Sequence, residues 1–504
     1  MRAIGFDIDT YLADQTRAII ERGERLGSKL YLEFGGKIAF DYHAARVLPG
    51  YDPNVKIRLL QSLAERAEVV LCIYAGDIAR KKVRADFGIP YDVDALKLID
   101  DLREWGLLVR SVVVTRFDDQ PAARVFKARL ERRGVTVYTH RATRGYPTDV
   151  DLIVSGEGYG ANEFIATERP IVVVTGPGPG SGKLGTCLSQ LYHEHQRGIP
   201  AGYAKFETFP IWNLPLKHPV NVAYEAATVE LKDVNLIDPY HLAAYGEQTV
   251  NYNRDVEAFP VLLRILQRIT GDGVVYRSPT DMGVNRAGFA IVDDAVVREA
   301  ARQEVIRRNF RYACEYAVGL VEREDAQRAQ LIMEELGLGP LDRRVVSPAR
   351  AAANEAEAAG KGNNGTFVGA AVELGDGRVV AGKNSPLMHA ASAVVLNAIK
   401  ELSGIPDEIH LLAPAIMESI TSLKKDILRM RTISLDLEET LIALGMSATI
   451  NPAAKAAVGR LKDLVGCEFH ITHIPTPGDE AGLRRLGLNV TSDPTFASRS
   501  LFLG

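Results

Sequence analysis

A run of β-branched residues that leads directly into a glycine-rich loop is the feature that most limits how this chain can fold. Residues 171–174 read I-V-V-V, and after Thr175 the sequence continues G-P-G-P-G-S-G-K, ending at Lys183. A short apolar run followed by glycines predicts a buried strand that turns sharply into a helix. We therefore expect an α/β fold in which helices cover the strands.

The same loop has the composition of a phosphate-binding turn. Glycines allow backbone N–H groups to approach an anion closely, and the helix that follows directs its positive end toward the same place. The residues expected to bind the phosphate are Gly176, Gly178, Gly180, Ser181, Gly182 and Lys183. The alternative is a tight structural turn that needs glycine for its backbone angles and binds nothing.

The loop departs from the Walker A pattern of nucleotide-binding proteins at two positions. Five residues separate Gly176 from Gly182 where the pattern has four, and Leu184 stands where the pattern has a magnesium-binding Ser or Thr. The nearest hydroxyl after Lys183 belongs to Thr186. These departures favour phosphate binding over hydrolysis of a triphosphate.

Composition and charge exclude several classes of protein. With 504 residues, of which 46% are hydrophobic and 25% charged, the chain can form about three globular domains. Its formal net charge of -4 gives no reason to expect a nucleic acid as a partner. No apolar stretch reaches the roughly 18 residues of a membrane span, and we expect no secretory signal. The four cysteines lack metal-binding spacing, which is typical of reduced thiols in a cytoplasmic protein.

Strand-like and helix-like segments alternate in the first third of the chain. Apolar runs at residues 69–75, 111–117, 135–139 and 151–155 predict strands, and helical spacing marks the segments between them. Strands that alternate with helices predict a parallel sheet covered by helices on both faces. Ligands of such sheets bind beyond the carboxyl ends of the strands, where the glycine-rich loop also falls.

Polar and aromatic residues replace the regular apolar pattern in residues 203–288. Segments of this kind often line sites, with Lys and Arg binding phosphate and Asp serving as a base or a metal ligand. Asp238 and Asp281 are further candidates for the metal. The expected catalytic residues are Lys183, Asp255 and Arg286, and the expected cofactor ligands outside the loop are Thr186, Lys205 and Arg254. For each of them a structural ion pair or hydrogen bond is the alternative.

The histidines do not form the zinc site of a metalloprotease. His193-Glu194-His195 begins like such a helix, but Arg197 stands where the second histidine ligand belongs. No zinc is therefore expected.

Changes in composition suggest three parts of the chain. Residues 296–336 carry helical spacing, and an alanine-rich and then glycine-rich stretch at 349–365 predicts a boundary. The expected parts are an α/β domain with the phosphate-binding loop at residues 1–290, a helical subdomain at 291–350 and a C-terminal α/β subdomain at 351–504.

The C-terminal part resembles the cytidine-deaminase-like fold. Strands at 367–374 and 379–382, a helix at 387–402 and a strand at 408–413 follow its order. In that fold the helix carries His-Ala-Glu and a later Pro-Cys-x-x-Cys completes the zinc site. Here Ala391 follows His389-Ala390, and Pro414 is followed by Ala415 with Glu418 three residues further on. The resemblance thus implies a relative of the fold that lacks the zinc ligands.

The whole chain resembles one bacterial family. The segments that carry the resemblance are L-E-F-G-G-K, D-Y-H-A-A-R-V-L-P-G-Y, G-P-G-P-G-S-G-K, K-F-E-T-F-P-I-W-N-L-P, N-Y-N-R-D-V-E-A-F-P and S-P-T-D-M-G-V-N. They are similar to those of the family called domain of unknown function 1846. The resemblance implies a cytoplasmic bacterial protein with an α/β first part, a helical middle and a deaminase-like end.

These observations predict an enzyme that acts on a nucleotide or a phosphorylated metabolite by phosphoryl transfer or phosphate-dependent ligation. ATP or another nucleotide with Mg²⁺ is the expected cofactor. One alternative is a regulatory protein that binds a phosphorylated metabolite without catalysis. The other is a transferase or hydrolase that acts on a substrate resembling a nucleotide monophosphate. The expected partner is a small phosphorylated molecule, and assembly into a homo-oligomer is left open.

Overall fold

The computed structural model describes residues 3–84, 89–271 and 276–498. These residues form two compact units. The N-terminal unit comprises Ile4–Glu225 and Lys232–Ala301, and the C-terminal unit comprises Ala3, Ala226–Leu231 and residues 302–498. The expected division into three parts, with boundaries near residues 290 and 350, stays a prediction.

The N-terminal unit alternates helices and strands. In chain order its elements are α1 (Ile8–Leu26), β1 (Lys29–Phe34), α2 (Tyr42–Val47), α3 (Val55–Ser62), β2 (Ala67–Tyr74), α4 (Ala75–Ala79), β3 (Val83–Arg84), β4 (Ile89–Pro90), α5 (Tyr91–Glu104), β5 (Val109–Thr115), α6 (Pro121–Glu131), β6 (Thr136–Thr139), α7 (Val150–Ile153), β7 (Ile171–Thr175), α8 (Lys183–Gln196), β8 (Ala201–Phe206), α9 (Pro219–Ala227), β9 (Asn235–Ile237), α10 (Pro239–Tyr245), β10 (Val250–Tyr252), α11 (Asn253–Thr270), α12 (Pro279–Met282), β11 (Gly283–Val284) and the first part of α13 (Asp294–Ala317). Helix α9 extends past the end of the first segment of this unit.

A seven-stranded parallel sheet in the order β11-β8-β1-β7-β2-β5-β6 forms the centre of this unit. Helices α1, α3, α5 and α6 pack on one face, and α8 and α11 pack on the other. The strands are nearly all buried because both faces are covered, which explains their continuous apolar runs. The predicted α/β class with a parallel, helix-covered sheet is confirmed.

One sequence expectation for this unit is wrong. Residues 151–155 do not form a strand, because the side chain of Asp149 caps the amide of Leu152 and starts the single turn of α7. Residues 203–288, whose sequence pattern is weakly periodic, contain α11, an 18-residue helix. That helix escapes sequence detection because it begins with the polar residues Asn253 to Asp255.

The C-terminal unit is built around a smaller sheet. Its elements are the second part of α13, α14 (Arg323–Glu335), α15 (Val346–Ala358), β12 (Gly369–Glu373), β13 (Val379–Lys383), α16 (Ala390–Ser403), α17 (Pro414–Ser422), α18 (Leu437–Ser447), α19 (Pro452–Val458), β14 (Glu468–Ile471), α20 (Pro477–Arg485) and β15 (Asn489–Ser492). The strand order is β13-β12-β14-β15, with β14 and β15 parallel and the other pairs antiparallel. Helix α16 packs on the face of β12 that carries Ala370 and Val372, and α15 packs on the face that carries Ala371.

The structure confirms the helices predicted within 296–336, as α13 and α14, and the hairpin of β12 and β13. The predicted strand at 408–413 is wrong. Leu411 and Leu412 are both buried in succession, so the segment lacks the alternation of a strand, and β12 already pairs with β13 and β14. The stretch at 349–365 is not a linker throughout, since α15 continues to Ala358.

No helix in the described part of the chain combines the length and the apolar character needed to cross a lipid bilayer.

Candidate functional site

The glycine-rich loop, residues 176–182, leaves the sheet at its centre. Strand β7 pairs with β1 on one side and with β2 on the other, and its carboxyl end leads into the loop. Gly182 precedes α8 with a φ of +95°, and Gly180 has a φ of +73°. Both angles lie in the left-handed region that favours glycine, which explains why the chain can make this sharp turn.

Close packing requires three glycines of the loop. A Cβ atom at Gly176 would lie 2.4 Å from a carbonyl oxygen of β2, and one at Gly178 would lie 2.5 Å from the hydroxyl of Tyr91. At Gly182 it would lie 2.7 Å from the side chain of Thr115. The glycines are thus explained by packing alone, so evidence for a ligand has to come from the polar groups of the loop.

The carbonyl groups of the loop are held by residues at the end of β5. Thr115 Oγ1 donates a hydrogen bond to the Ser181 carbonyl oxygen at 2.7 Å, and the Arg116 guanidinium donates one to the Gly180 carbonyl oxygen. Both peptide bonds are trans, so each N–H points away from the C=O of its own peptide group. The N–H groups of Ser181 and Gly182 therefore point away from β5.

Five amides of the loop and the start of α8 have no hydrogen-bond partner in the part of the chain that the structure describes. Among the described residues, no acceptor is bonded to the backbone N–H of Gly178, Gly180, Ser181, Gly182 or Lys183. No side chain caps α8 either. Unpaired amides at the start of a helix form a site that is ready for an anion.

The side chain of Lys183 returns to the loop. Its Nζ atom lies 3.4 Å from the Gly178 carbonyl oxygen and 3.5 Å from Ser181 Oγ. In the ranges that the structure describes, it forms no ion pair with a carboxylate. Its charge is thus available to a ligand, whereas Thr186 is buried and its hydroxyl contacts Cys72 Sγ at 3.4 Å.

A buried ionic cluster lies at the carboxyl end of β8, and we call Lys205, Glu207, Tyr252 and Asp255 the Lys205 cluster. Lys205 Nζ lies 2.7 Å from Glu207 Oε1 and also contacts the Asp255 carboxylate and the Tyr252 hydroxyl. That hydroxyl donates a 3.1 Å hydrogen bond to Glu207 Oε1. Because β10 ends at Tyr252 and α11 starts one residue later, both elements contribute to the cluster.

Strand β1 connects this cluster to the loop. Glu33 pairs in register with Val174 of β7 on one side and with Lys205 of β8 on the other. Burial raises the pKa of the Cys187 thiol on α8, Glu33 raises it further, and Lys183 lowers it. Val174 and Cys187 belong to the same core cluster, so Glu33, which is in register with Val174, lies on the face of the sheet that α8 covers.

In the Lys205 cluster, the pKa values of Lys205 and of Glu207 are both raised. Burial lowers the pKa of Lys205, but the carboxylates of Asp255, Glu207 and Glu33 outweigh burial and raise it well above its ordinary value. Burial raises the pKa of Glu207 to about 7, against the opposing charge of Lys205. Lys205 thus stays charged, and Glu207 is the group that gains or loses a proton near neutral pH.

The two predicted arginines lie in different places. Arg254 pairs with the buried Asp233 through hydrogen bonds of 2.5 Å and 2.9 Å, and its guanidinium lies 5.2 Å from the centre of the Tyr252 ring. Arg286 is exposed, and its guanidinium lies 5.4 Å from the centre of the Phe289 ring. The structure therefore brings Arg254 to the border of the Lys205 cluster, and the roles of both arginines in binding or catalysis stay predictions.

The residues expected to hold Mg²⁺ do not gather at the loop. Asp238 caps the first turn of α10 and accepts a 2.7 Å hydrogen bond from Thr280 Oγ1, and Asp281 accepts one from Tyr245. Asp255 is committed to Lys205. Across the described ranges, no group of three or more His, Cys, Asp or Glu residues could hold a metal ion. The residues expected to bind Mg²⁺ therefore do not fit the metal.

Sequence reasoning missed several residues of the site, including Glu33, Glu207 and Tyr252. One signal was present for Glu33, because a carboxylate stands in the buried run L-Y-L-E-F directly before two glycines. A charged residue in such a run is costly unless it is paired. Tyr203 provides the partner by donating a 2.8 Å hydrogen bond to Glu33 Oε2.

In the C-terminal unit, His389 precedes α16 and its Nδ1 atom lies 2.7 Å from Asp479 Oδ2. Burial lowers the pKa of His389, but Asp479 outweighs burial and raises it. Asp479 also accepts hydrogen bonds of 2.9 Å from the amide of Leu437 and the hydroxyl of Thr476. A mainly apolar cavity of about 440 Å³ lies in the same unit, with residues of α16 and α17 in its wall.

Comparisons with known proteins cover nearly the whole chain. A family model described as "Domain of unknown function DUF1846, N-terminal" matches residues 4–337, and one described as "Domain of unknown function DUF1846, C-terminal" matches residues 341–502. The chain is 58% identical over 500 residues to a UPF0371 protein of Clostridium botulinum strain Langeland, with 99% of each chain covered. It is 56% identical over 499 residues to a UPF0371 protein of Clostridium botulinum strain Alaska E43, again with 99% of each chain covered.

Proposed function

Because the chain belongs to the DUF1846 family, whose description names no activity, we propose its function from the site alone. We infer an enzyme that binds a nucleotide or a phosphorylated metabolite at residues 176–183 and catalyses phosphoryl transfer or phosphate-dependent ligation. One observation carries this proposal. The loop amides lack acceptors, and they adjoin a lysine that forms no ion pair in the described chain.

In the proposed complex the loop acts as a P-loop-like turn. The amides of Gly180 to Lys183 donate hydrogen bonds to phosphate oxygens, and the start of α8 adds its partial positive charge. The ammonium of Lys183 forms a charge-assisted hydrogen bond to the same group. As negative charge builds up on the phosphoryl oxygens in the transition state, these donors stabilise it.

ATP or another nucleotide is the proposed ligand, and no reaction step is assigned to Mg²⁺. The C-terminal unit is proposed as a relative of the deaminase fold without zinc chemistry, supported by its hairpin, by His389 before α16 and by Pro414 at the start of α17. A cytoplasmic location, the absence of nucleic-acid and membrane partners, and assembly into a homo-oligomer stay predictions.

A second candidate is a transferase or hydrolase that acts on a substrate resembling a nucleotide monophosphate. The scattering of the expected magnesium ligands favours it, because a monophosphate carries less charge and needs less metal to balance it. Leu184 in place of a metal-binding hydroxyl has the same effect. A third candidate, a regulatory protein that binds the ligand without turnover, is also favoured by Leu184.

A thermal-shift experiment tests the proposal. The wild type, Lys183→Ala and Lys127→Ala are heated with inorganic phosphate, AMP and ATP, each with and without Mg²⁺. We expect at least one of these ligands to raise the Tm of the wild type and of Lys127→Ala, whose lysine lies on α6, and to leave Lys183→Ala unchanged. A wild type that responds to none of them would contradict the proposal. A preference for AMP over ATP would select the second candidate.

A further inference from the structure

We propose that Glu207 is the general base of the transfer reaction and takes the proton of a hydroxyl on a neutral or positively charged acceptor molecule. This inference rests on the proposed function, because it assigns the acceptor side of the same site.

The first support is the way in which Glu207 is held. Its Oε1 atom receives both hydrogen bonds of the cluster, one from Lys205 at 2.7 Å and one from Tyr252 at 3.1 Å. Its Oε2 atom accepts none from the described residues. One oxygen is therefore fixed and the other is left for a proton. A general base needs this combination, because it has to be oriented before it can accept a proton from a bound substrate.

The second support is the position of Glu207 at the carboxyl ends of the strands. Glu207 follows the last residue of β8, and β8 is separated from the strand of the phosphate-binding loop only by β1. In parallel sheets, groups beyond neighbouring carboxyl ends serve one ligand site. Glu33 pairs in register with Val174 of β7 and with Lys205 of β8, so the side chains of these three residues lie on the same face of the sheet.

The third support distinguishes Glu207 from the other carboxylates nearby. Lys205 pairs with both Glu207 and Asp255, but within the cluster it is Glu207 that also accepts a hydrogen bond from Tyr252. Glu207 alone in the Lys205 cluster combines an open oxygen with a pKa raised by burial to about 7. A base with this pKa is matched to proton transfer at neutral pH.

The charge of the surroundings selects the acceptor. Glu33, Glu207 and Asp255 supply three carboxylates against the one ammonium group of Lys205, and the charge of Arg254, which lies beside Tyr252, is balanced by Asp233. An excess of negative charge repels an anionic acceptor and tolerates a neutral or cationic one. We therefore assign the acceptor to alcohols such as sugars and amino alcohols.

In the proposed step a phosphoryl group moves from its donor to the hydroxyl oxygen of the acceptor. The acceptor R–OH gives its proton to Glu207 Oε2, and its oxygen forms a bond to phosphorus. The bond between phosphorus and the leaving oxygen breaks, and the leaving group keeps the electron pair. The proton then passes from Glu207 to the leaving group or to water. Lys205 and Tyr252 act as positioning residues, because they hold Oε1 and do not contact the substrate.

Transfer from radiolabelled ATP to a panel of sugars, amino alcohols and water tests the step between pH 5.5 and 9. We expect the wild-type rate to rise through a pKa near 7. In Glu207→Gln the rate should fall by about 100-fold or more and lose this pH dependence, while the ATP-induced thermal shift is retained. The control is Glu68→Gln, which removes a buried carboxylate at the amino end of β2 and should match the wild type.

The outcomes separate the two proposals. A folded Glu207→Gln variant with wild-type rate and pH profile overturns the role of Glu207 and leaves the proposed function standing. A wild type that binds ATP but transfers phosphate to no acceptor also overturns it. A wild type without any ligand-induced thermal shift overturns the proposed function itself. Should Glu207→Gln fail to fold, Glu207→Asp replaces it, and a wild-type rate in that shortened variant overturns the role.

Discussion

Two regions of the molecule begin helices at polar sites, and they satisfy the helix amides in different ways. In the C-terminal unit, the carboxylate of Asp436 accepts a 2.9 Å hydrogen bond from the amide of Glu439, and Asp479 accepts one from Leu437. In the N-terminal unit, α8 begins after Gly182, and no side chain caps it.

The difference lies in where the acceptor comes from. At α18 the C-terminal unit provides carboxylates from its own chain, so this helix start is closed to an external anion. The loop before α8 provides no acceptor for these amides among the described residues, and the two charged side chains that contact it, Lys183 and Arg116, are both positive. A helix start thus points to a ligand only where the chain leaves its amides open.

The largest effect is expected in the closed region. Asp479→Ala should lower the free energy of unfolding by about 3–5 kcal/mol, because it leaves His389 and the amide of Leu437 without their acceptor. Urea denaturation measures the loss. Glu480→Ala, an exposed neighbour, is the control and should cost less than about 1 kcal/mol. An equally small cost for Asp479→Ala would show that the region is not held closed by this carboxylate.

The Lys205 cluster at the end of β8, in the same unit as the open loop, should instead respond to pH. The pKa of Glu207 is raised from 4.5 to about 7 in the folded state, so the folded protein binds this proton more tightly than the unfolded chain. Its contribution to stability is complete below pH 4.5 and is lost as the pH rises to 7, a decrease of roughly 3 kcal/mol. Denaturation curves at several pH values should show this decrease, and Glu207→Gln should remove it. An identical pH profile in both proteins would contradict the assignment.

Next in size is the loss of ligand affinity in Lys183→Ala. Removal of one charge-assisted hydrogen bond should weaken phosphate or ATP binding by about 1.5–3 kcal/mol, or roughly 10-fold to 150-fold. Isothermal titration calorimetry measures the change, with Lys127→Ala as the reference. Equal affinity in the two variants would mean that the lysine of the loop does not contact the ligand.

A smaller effect should follow when a carboxylate that can accept hydrogen bonds from the amides is introduced into the loop. Gly180 has a φ of +73° and no atom within 4 Å of an added Cβ, and Asp tolerates such angles better than most residues. Gly180→Asp should weaken anion binding by about 1 kcal/mol, because its carboxylate competes for the open amides. Gly180→Asn has the same shape without the charge, so binding to it should be stronger. Equal anion binding by Gly180→Asp and Gly180→Asn would show that a carboxylate in the loop does not compete for the open amides.

The smallest effect is expected for Arg286→Ala. The side chain is exposed and contacts the ring of Phe289, so its removal should change the stability by less than about 0.5 kcal/mol. Ligand affinity should also stay the same if the site consists of the loop and the Lys205 cluster. A loss of affinity of 10-fold or more would instead support the role as a phosphate ligand that the sequence suggests for Arg286.

Local patterns made the sheet largely predictable. Strands β2, β5, β6 and β7 are apolar runs whose burial on both faces appears directly in their composition. Strand β1 was harder to recognise because Glu33 interrupts its apolar run and glycines follow it. The segments at 151–155 and 408–413 were misjudged because an apolar run of a few residues fits a strand, a single helical turn or a buried loop equally well.

Only those site residues that are close together in the sequence could be predicted. The glycines and Lys183 are consecutive in the chain, so their spacing was enough to indicate the turn. The partners of Lys205 and Arg254 are not, because Tyr252 and Asp233 reach them through the path of the chain after β8. A charged side chain in a sequence does not show which distant group neutralises it.

The position of β7 has a consequence for protein synthesis. This strand lies between β1 and β2, although both of them precede it in the chain. Until residue 171 has been synthesised, β1 and β2 lack the strand that pairs with both of them, and such unpaired edges promote aggregation. Strand β7 closes this gap when it is made and carries the loop with it, so every molecule that displays the open amides has already completed the middle of its sheet.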